Sequence, residues 1–197
     1  MDTDRLTQQI RFIAEIDKLK SVLRQSILVS GERQENSAEH SWHVATMAIL
    51  LAEHAGEPVD VGRVIKMLLV HDIVEVDAGD TYCYDDEAVL GQADREQEAA
   101  DRLFGMLPAD QAAELHALRQ EFDGRSTPEA RFAAALDRLM PLLHNYHSQG
   151  KSWQEHHVTR GQVLARCGPI RDGSKTLWAF AESLIEDAIA KGVLDRT

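Results

Sequence analysis

The chain has little cysteine, little proline and no long apolar run, and each shortage removes a class of protein. Cys83 and Cys167 are the only cysteines among 197 residues. They lack C-x-x-C spacing, which argues against a disulfide framework or a zinc ribbon and fits a reducing, cytoplasmic setting. Only five prolines occur, and no stretch has the composition of a linker, so one domain over residues 1–197 is expected. No apolar run approaches a membrane span, and the first five residues carry early acids rather than a signal core, so no membrane partner is expected. Basic charge is also scarce: 21 Lys and Arg against 33 Asp and Glu leave a formal charge of −12. That balance disfavours a nucleic acid polymer spread over a broad surface.

What is present is helical periodicity. Apolar residues recur at helical spacing almost throughout, with no convincing strand alternation, which predicts an all-α fold. Helices are expected near 4–25, 37–55, 60–76, 86–106, 109–122, 128–149, 159–167 and 174–191. Ser37 and Thr127 stand where N-caps belong, and Gly56-Glu57-Pro58 and 124–128 are breaks. Trp153 and Trp178 are the aromatic candidates for a subunit interface.

The chemistry concentrates in three helical segments. His71 and Asp72 end the apolar stretch Val64 to Val70, with Glu75 one turn on and Gly79-Asp80 closing the segment. An imidazole beside a carboxylate offers a divalent cation mixed nitrogen and oxygen ligands. Upstream, Ala38-Glu39-His40-Ser41-Trp42-His43 opens another helix, and downstream Asp137 is a lone acid inside a third. Asp72 and Asp137 both fall in apolar surroundings, where an unpaired carboxylate is costly. The residues alone leave open a simpler partner for one of these two acids, a buried ion pair with Arg138. His144 and His147 lie one turn apart beyond Asp137, a spacing read as substrate pocket or packing rather than a second metal.

The series His40, His71-Asp72, Glu75, Asp80 and Asp137 resembles the HD-domain metal-dependent phosphohydrolases, in order and at similar spacing. The likeness runs from about residue 13 to 192 and is nearest to the compact branch that includes the 5'-deoxynucleotidases. It implies a single helical bundle of about six to eight helices. It implies that His40, His71, Asp72 and Asp137 bind one divalent ion, with manganese, cobalt, iron, nickel, zinc and magnesium all open, while Glu75 and Asp80 act on the attacking water. Arg24 resembles the arginine that branch sets near its phosphate, although Gln25-Ser26-Ile27 follow it here in place of Gly and Trp. Arg33, Lys20 and His144 are further candidates for binding the substrate.

The implied activity is phosphate removal from a nucleoside 5'-monophosphate, and the implied assembly is a homodimer. A nucleoside triphosphohydrolase, a phosphatase on another small phosphoester, and a non-catalytic metal- or nucleotide-binding module stay open. A two-iron oxygenase is disfavoured because only His116 lies between the His-Asp pair and Asp137. The irregular segment 78–88, with Asp80, Tyr82, Tyr84, Asp85 and Asp86, reads equally as lining or lid of the pocket or as an acidic connecting loop with aromatic anchors.

Overall fold

The computed structural model describes residues 3–85, 87 and 90–196. Asp86 and Ala88 of the expected lid, and the expected helix start near 86, fall wholly or partly outside those residues. Helices dominate, and the described residues add one two-stranded sheet.

The chain opens with α1 (Thr3–Ile16), which gives way to a 3-10 turn (Asp17–Ser21) and strand β1 (Leu23–Ile27). The helix expected to continue to residue 25 therefore stops early. Strand β2 (Gln34–Asn36) pairs antiparallel with β1, Leu23 facing Asn36 and Ile27 facing Gln34, with an irregularity between them. The hairpin escaped notice because its polarity is inverted. Arg24 and Glu35 point inward and are buried, while Leu23 is exposed. Strand recognition relies on apolar residues occupying the buried alternate positions, and here charges occupy them.

Helix α2 (Ser37–Leu51) follows directly. Its cap is Asn36 rather than Ser37: the Glu39 N–H donates to Asn36 Oδ1 at 2.9 Å and Glu39 Oε2 accepts from the Asn36 N–H at 3.3 Å. That reciprocal pair satisfies two orphan donors, and Ser37 becomes the first helical residue. Helix α3 (Val61–Val70) is capped by Asp60 and ends at His71, so the helix expected over 60–76 is broken by a turn before the short α4 (Glu75–Ala78). Gly79 then takes φ +73° and redirects the chain toward Asp80, a backbone state that disfavours any side chain.

Helices α5 (Gln92–Phe104) and α6 (Ala109–Gly124) lead to α7 (Pro128–His147), the central helix. Thr127 caps α7, accepting from the Ala130 N–H at 3.2 Å, with Pro128 at the first position. Ala130, Ala133, Ala134, Ala135, Leu136 and Leu139 on α7 are all buried, and α2, α3, α6, α10 and α11 pack around it. The last elements are α8 (Lys151–Glu155), α9 (Arg160–Cys167), α10 (Ile170–Gly173) and α11 (Lys175–Ala190); α8 and α10 were not foreseen. Small residues let α10 sit against α7: a Cβ on Gly173 would lie 2.3 Å from the Arg131 carbonyl oxygen. Trp153 is only 2% exposed and belongs to the core, not to a surface available for a partner. Among the described residues no helix is long and apolar enough to cross a membrane.

Candidate functional site

Four elements meet at one buried cluster. The start of α2 supplies His40, the end of α3 supplies His71 and Asp72, α4 begins with Glu75, and the middle of α7 supplies Asp137. All five side chains are buried. The donor atoms of His40, His71 and Asp72 lie within 4.8 Å of one another. Asp137 Oδ1 is 3.0 Å from His40 Nε2 and 3.6 Å from His71 Nε2. Pro141, one turn beyond Asp137, has no N–H to offer the Asp137 carbonyl, which loosens α7 at this point.

The His71 ring is oriented by backbone. Its Nδ1 donates to the Leu68 carbonyl at 2.8 Å, which leaves a lone pair on Nε2 when the ring is neutral. That Nε2 lies 3.0 Å from Asp72 Oδ1, yet it has no hydrogen-bond partner among the described residues. Close approach of donor atoms without hydrogen-bond alignment suits groups that converge on a shared cation.

Charge points the same way. Glu35, Asp72, Glu75, Asp80 and Asp137 bring five carboxylates together, and the arginines within reach are Arg24 and Arg138. Arg24 Nη1 donates to Asp72 Oδ2 at 2.7 Å and stands 3.7 Å from Glu75 Oε1 and 3.8 Å from Asp80 Oδ1. Burial weakens a guanidinium, but Asp72, Glu75 and Asp80 outweigh it and raise the Arg24 pKa. Arg138 Nη1 reaches Asp137 Oδ2 at 3.1 Å, so the ion pair left open by the sequence exists alongside the histidine contacts.

The acids divide in their proton affinity. Burial opposes the charge on Asp137, but Arg138, His40 and His71 prevail and hold it well below the ordinary carboxylate range. Burial, then the negative charge of Asp72, push Glu75 well above that range. Asp80 is raised for the same two reasons, with Arg24 opposing. His71 also resists burial: Asp72 and Asp137 raise it to about 9. The arrangement thus sets one carboxylate of lowered proton affinity, Asp137, among the histidines and two of raised affinity, Glu75 and Asp80, nearby, a division that suits ligation and proton transfer respectively.

The cluster opens on a cavity of about 330 Å³ whose walls include His71, Asp72, Glu75 and Asp137. A smaller neighbour of about 60 Å³ has Tyr82, Tyr84 and Trp153 in its wall. Arg24, Asp80, Thr81, Cys83, Arg138 and Arg166 line both. Residues 80–84 thus form wall, as one of the two readings of that segment anticipated.

Other nominated residues sit elsewhere. Lys20 is 68% exposed and paired with Asp17, and Arg33 is exposed and clamped to Glu39 at 2.7 Å; neither lines these cavities. His144 is buried and turns toward Glu35 instead of facing either cavity. Burial lowers its pKa although Glu35 opposes that. Glu35 itself, 1% exposed, was not foreseen. Arg138 and Arg166 were likewise not nominated as cavity residues; a lone Arg on a helix carries no signal of the direction it faces.

The chain matches the HD domain model over residues 16–178. It is 30% identical to mouse 5'-deoxynucleotidase HDDC2 over 68% of this chain and 66% of that protein, and 28% identical to the human protein of that name over 68% and 65%. The matched part is slightly under two thirds of the length of these relatives. Among solved structures, a predicted metal-dependent phosphohydrolase from Magnetospirillum magnetotacticum MS-1 superposes with a TM-score of 0.94 at 54% identity, covering 98% of this chain and 96% of that one. A conserved hypothetical protein from Pyrococcus furiosus shares the fold at 21% identity and a TM-score of 0.60.

Proposed function

The chain belongs to the HD-domain family, and from that premise we propose that it is a divalent-metal-dependent phosphohydrolase acting on a nucleoside 5'-monophosphate. His40, His71, Asp72 and Asp137 hold the ion. The observation that carries this reading is the convergence of two imidazoles and two carboxylates, with His71 Nε2 unpartnered among the described residues and His71, Asp72 and Asp137 in a wall of the larger cavity. The relatives named for 5'-deoxynucleotidase activity support the substrate class.

A divalent ion bound there supplies a Lewis acid and brings the pKa of water toward neutrality. The chain's own residues do the rest. Glu75, assisted by Asp80, takes the proton of the attacking water, a task that suits a buried carboxylate with raised proton affinity. Arg24, fixed by Asp72, presents guanidinium N–H groups to the phosphate oxygens. The apolar and aromatic wall containing Tyr82, Tyr84 and Trp153 receives the nucleoside side of the substrate.

One observation favours a second reading. Arg125, Arg138 and Arg166 stand in the wall of the larger cavity. Burial, together with the neighbouring charges of Arg166 and Arg125, lowers the Arg138 pKa despite Asp137. Extra cations of this kind suit a longer phosphate chain, so a triphosphohydrolase is the rival. Exposed Leu6, Ile10 and Ile13 on α1, beside Leu69 on α3, support the homodimer expectation, for which light scattering is the check.

The deciding experiment strips bound metal and measures phosphate release from deoxy- and ribonucleoside mono- and triphosphates, with manganese, cobalt, magnesium or zinc restored. Orthophosphate from monophosphates, lost in Asp72→Asn and Glu75→Ala, is expected. Tripolyphosphate from triphosphates would establish the rival, and inactivity with every metal and nucleotide would sink both.

A further inference from the structure

Strand β2 carries into the core a carboxylate that the proposed chemistry leaves unused. Glu35 Oε2 faces three groups: His40 Nδ1 at 3.3 Å, His144 Nδ1 at 3.6 Å and Arg24 Nε at 3.9 Å. All four atoms are buried without an aligned hydrogen-bond partner among the described residues. A buried carboxylate is retained against its desolvation only where neighbouring donors need it.

The donor that needs it is His40. An imidazole serves as a ligand through its unprotonated nitrogen, and its proton must then sit on the other one. His40 Nε2 faces the cluster, hydrogen-bonded to Asp137 Oδ1 at 3.0 Å and 4.0 Å from Asp72 Oδ2. When an ion takes the Nε2 lone pair, the ring proton belongs on Nδ1. His71 settles the same question with the Leu68 carbonyl at 2.8 Å, whereas the nearest acceptor recorded for His40 Nδ1 is Glu35.

We propose that Glu35 is the positioning residue for His40: its carboxylate accepts the Nδ1–H, fixes the tautomer that turns the Nε2 lone pair toward the divalent ion, and strengthens that nitrogen as a donor. This deepens the metal-site reading and rests on it. Hydrogen-bonded partners of ligating histidines act in this way in general, and their loss weakens metal binding about 10- to 100-fold. The hairpin's inverted polarity follows from the same requirement. Arg24 and Glu35 face inward from paired strands because one holds Asp72 and the other holds His40.

Glu35, His43 and His144 also have donor atoms within 4.8 Å of one another, which on composition alone suits a second cation. The imidazole N–H groups of His40 and His144 answer the Glu35 charge without one, and the contact to His40 is the shorter.

The test titrates cobalt(II) into the stripped full chain, reading its visible absorption, for wild type and for Glu35→Gln. The substitution preserves volume and removes the charge. Wild type is expected to take up one equivalent, and the variant the same equivalent about 10- to 100-fold more weakly, with the melting temperature of the stripped protein little changed. Nitrogen-15 shifts of His40 in zinc-loaded wild type, which do not depend on the variant folding, are expected to report a protonated Nδ1. Equal cobalt affinity in the variant, or zinc on Nδ1, would overturn the role of Glu35 while leaving the metal site intact. A second equivalent in wild type that disappears in the variant would overturn it in favour of Glu35 as a ligand. Wild type that binds no cobalt would sink the metal reading and this inference with it.

Discussion

The protein uses the same ionic groups in two regions to opposite ends. On the surface, several charges are matched in pairs: Arg5 with Asp110 at 2.7 Å, Lys66 with Glu114 at 2.8 Å, Arg160 with Glu186 at 2.6 Å. Each pair is local, solvated and worth little to stability. In the cluster between α2, α3, α4 and α7, carboxylates outnumber arginines, several donor atoms lack aligned partners, and almost no solvent reaches them. A matched exposed pair needs nothing further, whereas buried donor atoms that converge without aligned partners suit a shared cation.

The largest expected effect comes from unbalancing the buried set. Asp137→Ala leaves His40, His71 and Arg138 facing one another without their shared acid. Losing one side of a buried ionic contact costs about 3–5 kcal/mol. Denaturant unfolding should show a loss of that size together with abolished metal uptake. A change under about 1 kcal/mol, typical of an exposed pair, would erase the contrast between the two regions.

Glu75→Gln sharpens the comparison within the cluster by separating proton transfer from ligation. Removing a general base lowers kcat by roughly 100- to 10,000-fold, while metal content and melting temperature should hold. Loss of metal in this variant would make Glu75 a ligand instead.

The buried region should also respond to pH where the surface does not. His71 has a folded-state pKa of about 9, above its unfolded value near 6.5. Stability from this shift is fully present below pH 6.5 and is lost as pH rises through about 9, on the order of 3 kcal/mol in total. Melting of chelator-treated protein should therefore fall between pH 6 and 9. An ion that takes the His71 lone pair must displace the proton, so metal affinity should rise over the same window.

The smallest effect is expected outside the cluster. Asp110→Asn breaks the bidentate contact with Arg5, and Asp110, whose pKa the Arg5 contact lowers to about 2, is fully exposed. Melting at neutral pH should match wild type, and salt should narrow any residual difference.

These outcomes bear on residues of unequal legibility in the chain. His40, His71, Asp72 and Asp137 stood out because acids and histidines interrupt apolar helical runs, and the fold brings all four together. Arg24 was found, but as a helical residue; it reaches the site from a strand. Lys20 and Arg33 were nominated on charge alone, and exposed partners take up both. Glu35 gave no signal, since a lone Glu between Gln34 and Asn36 looks like any polar turn. The cap was displaced by one residue for a similar reason: Asn36 and Ser37 are both good caps, and pairing of β2 with β1 decides which residue starts the helix.

The sequence by itself determined the helical class, the order of the residues proposed to hold the ion and the acidic balance of the chain. Helical periodicity and the placement of acids among apolar residues are local in the chain, so one strand of text records them. Tertiary structure alone decided that Arg24 and Glu35 face inward, that His144 turns to Glu35, and that Arg138 and Arg166 line the cavities. Which way a charged side chain points depends on the field of groups far away in sequence, and that field exists only after the helices have packed.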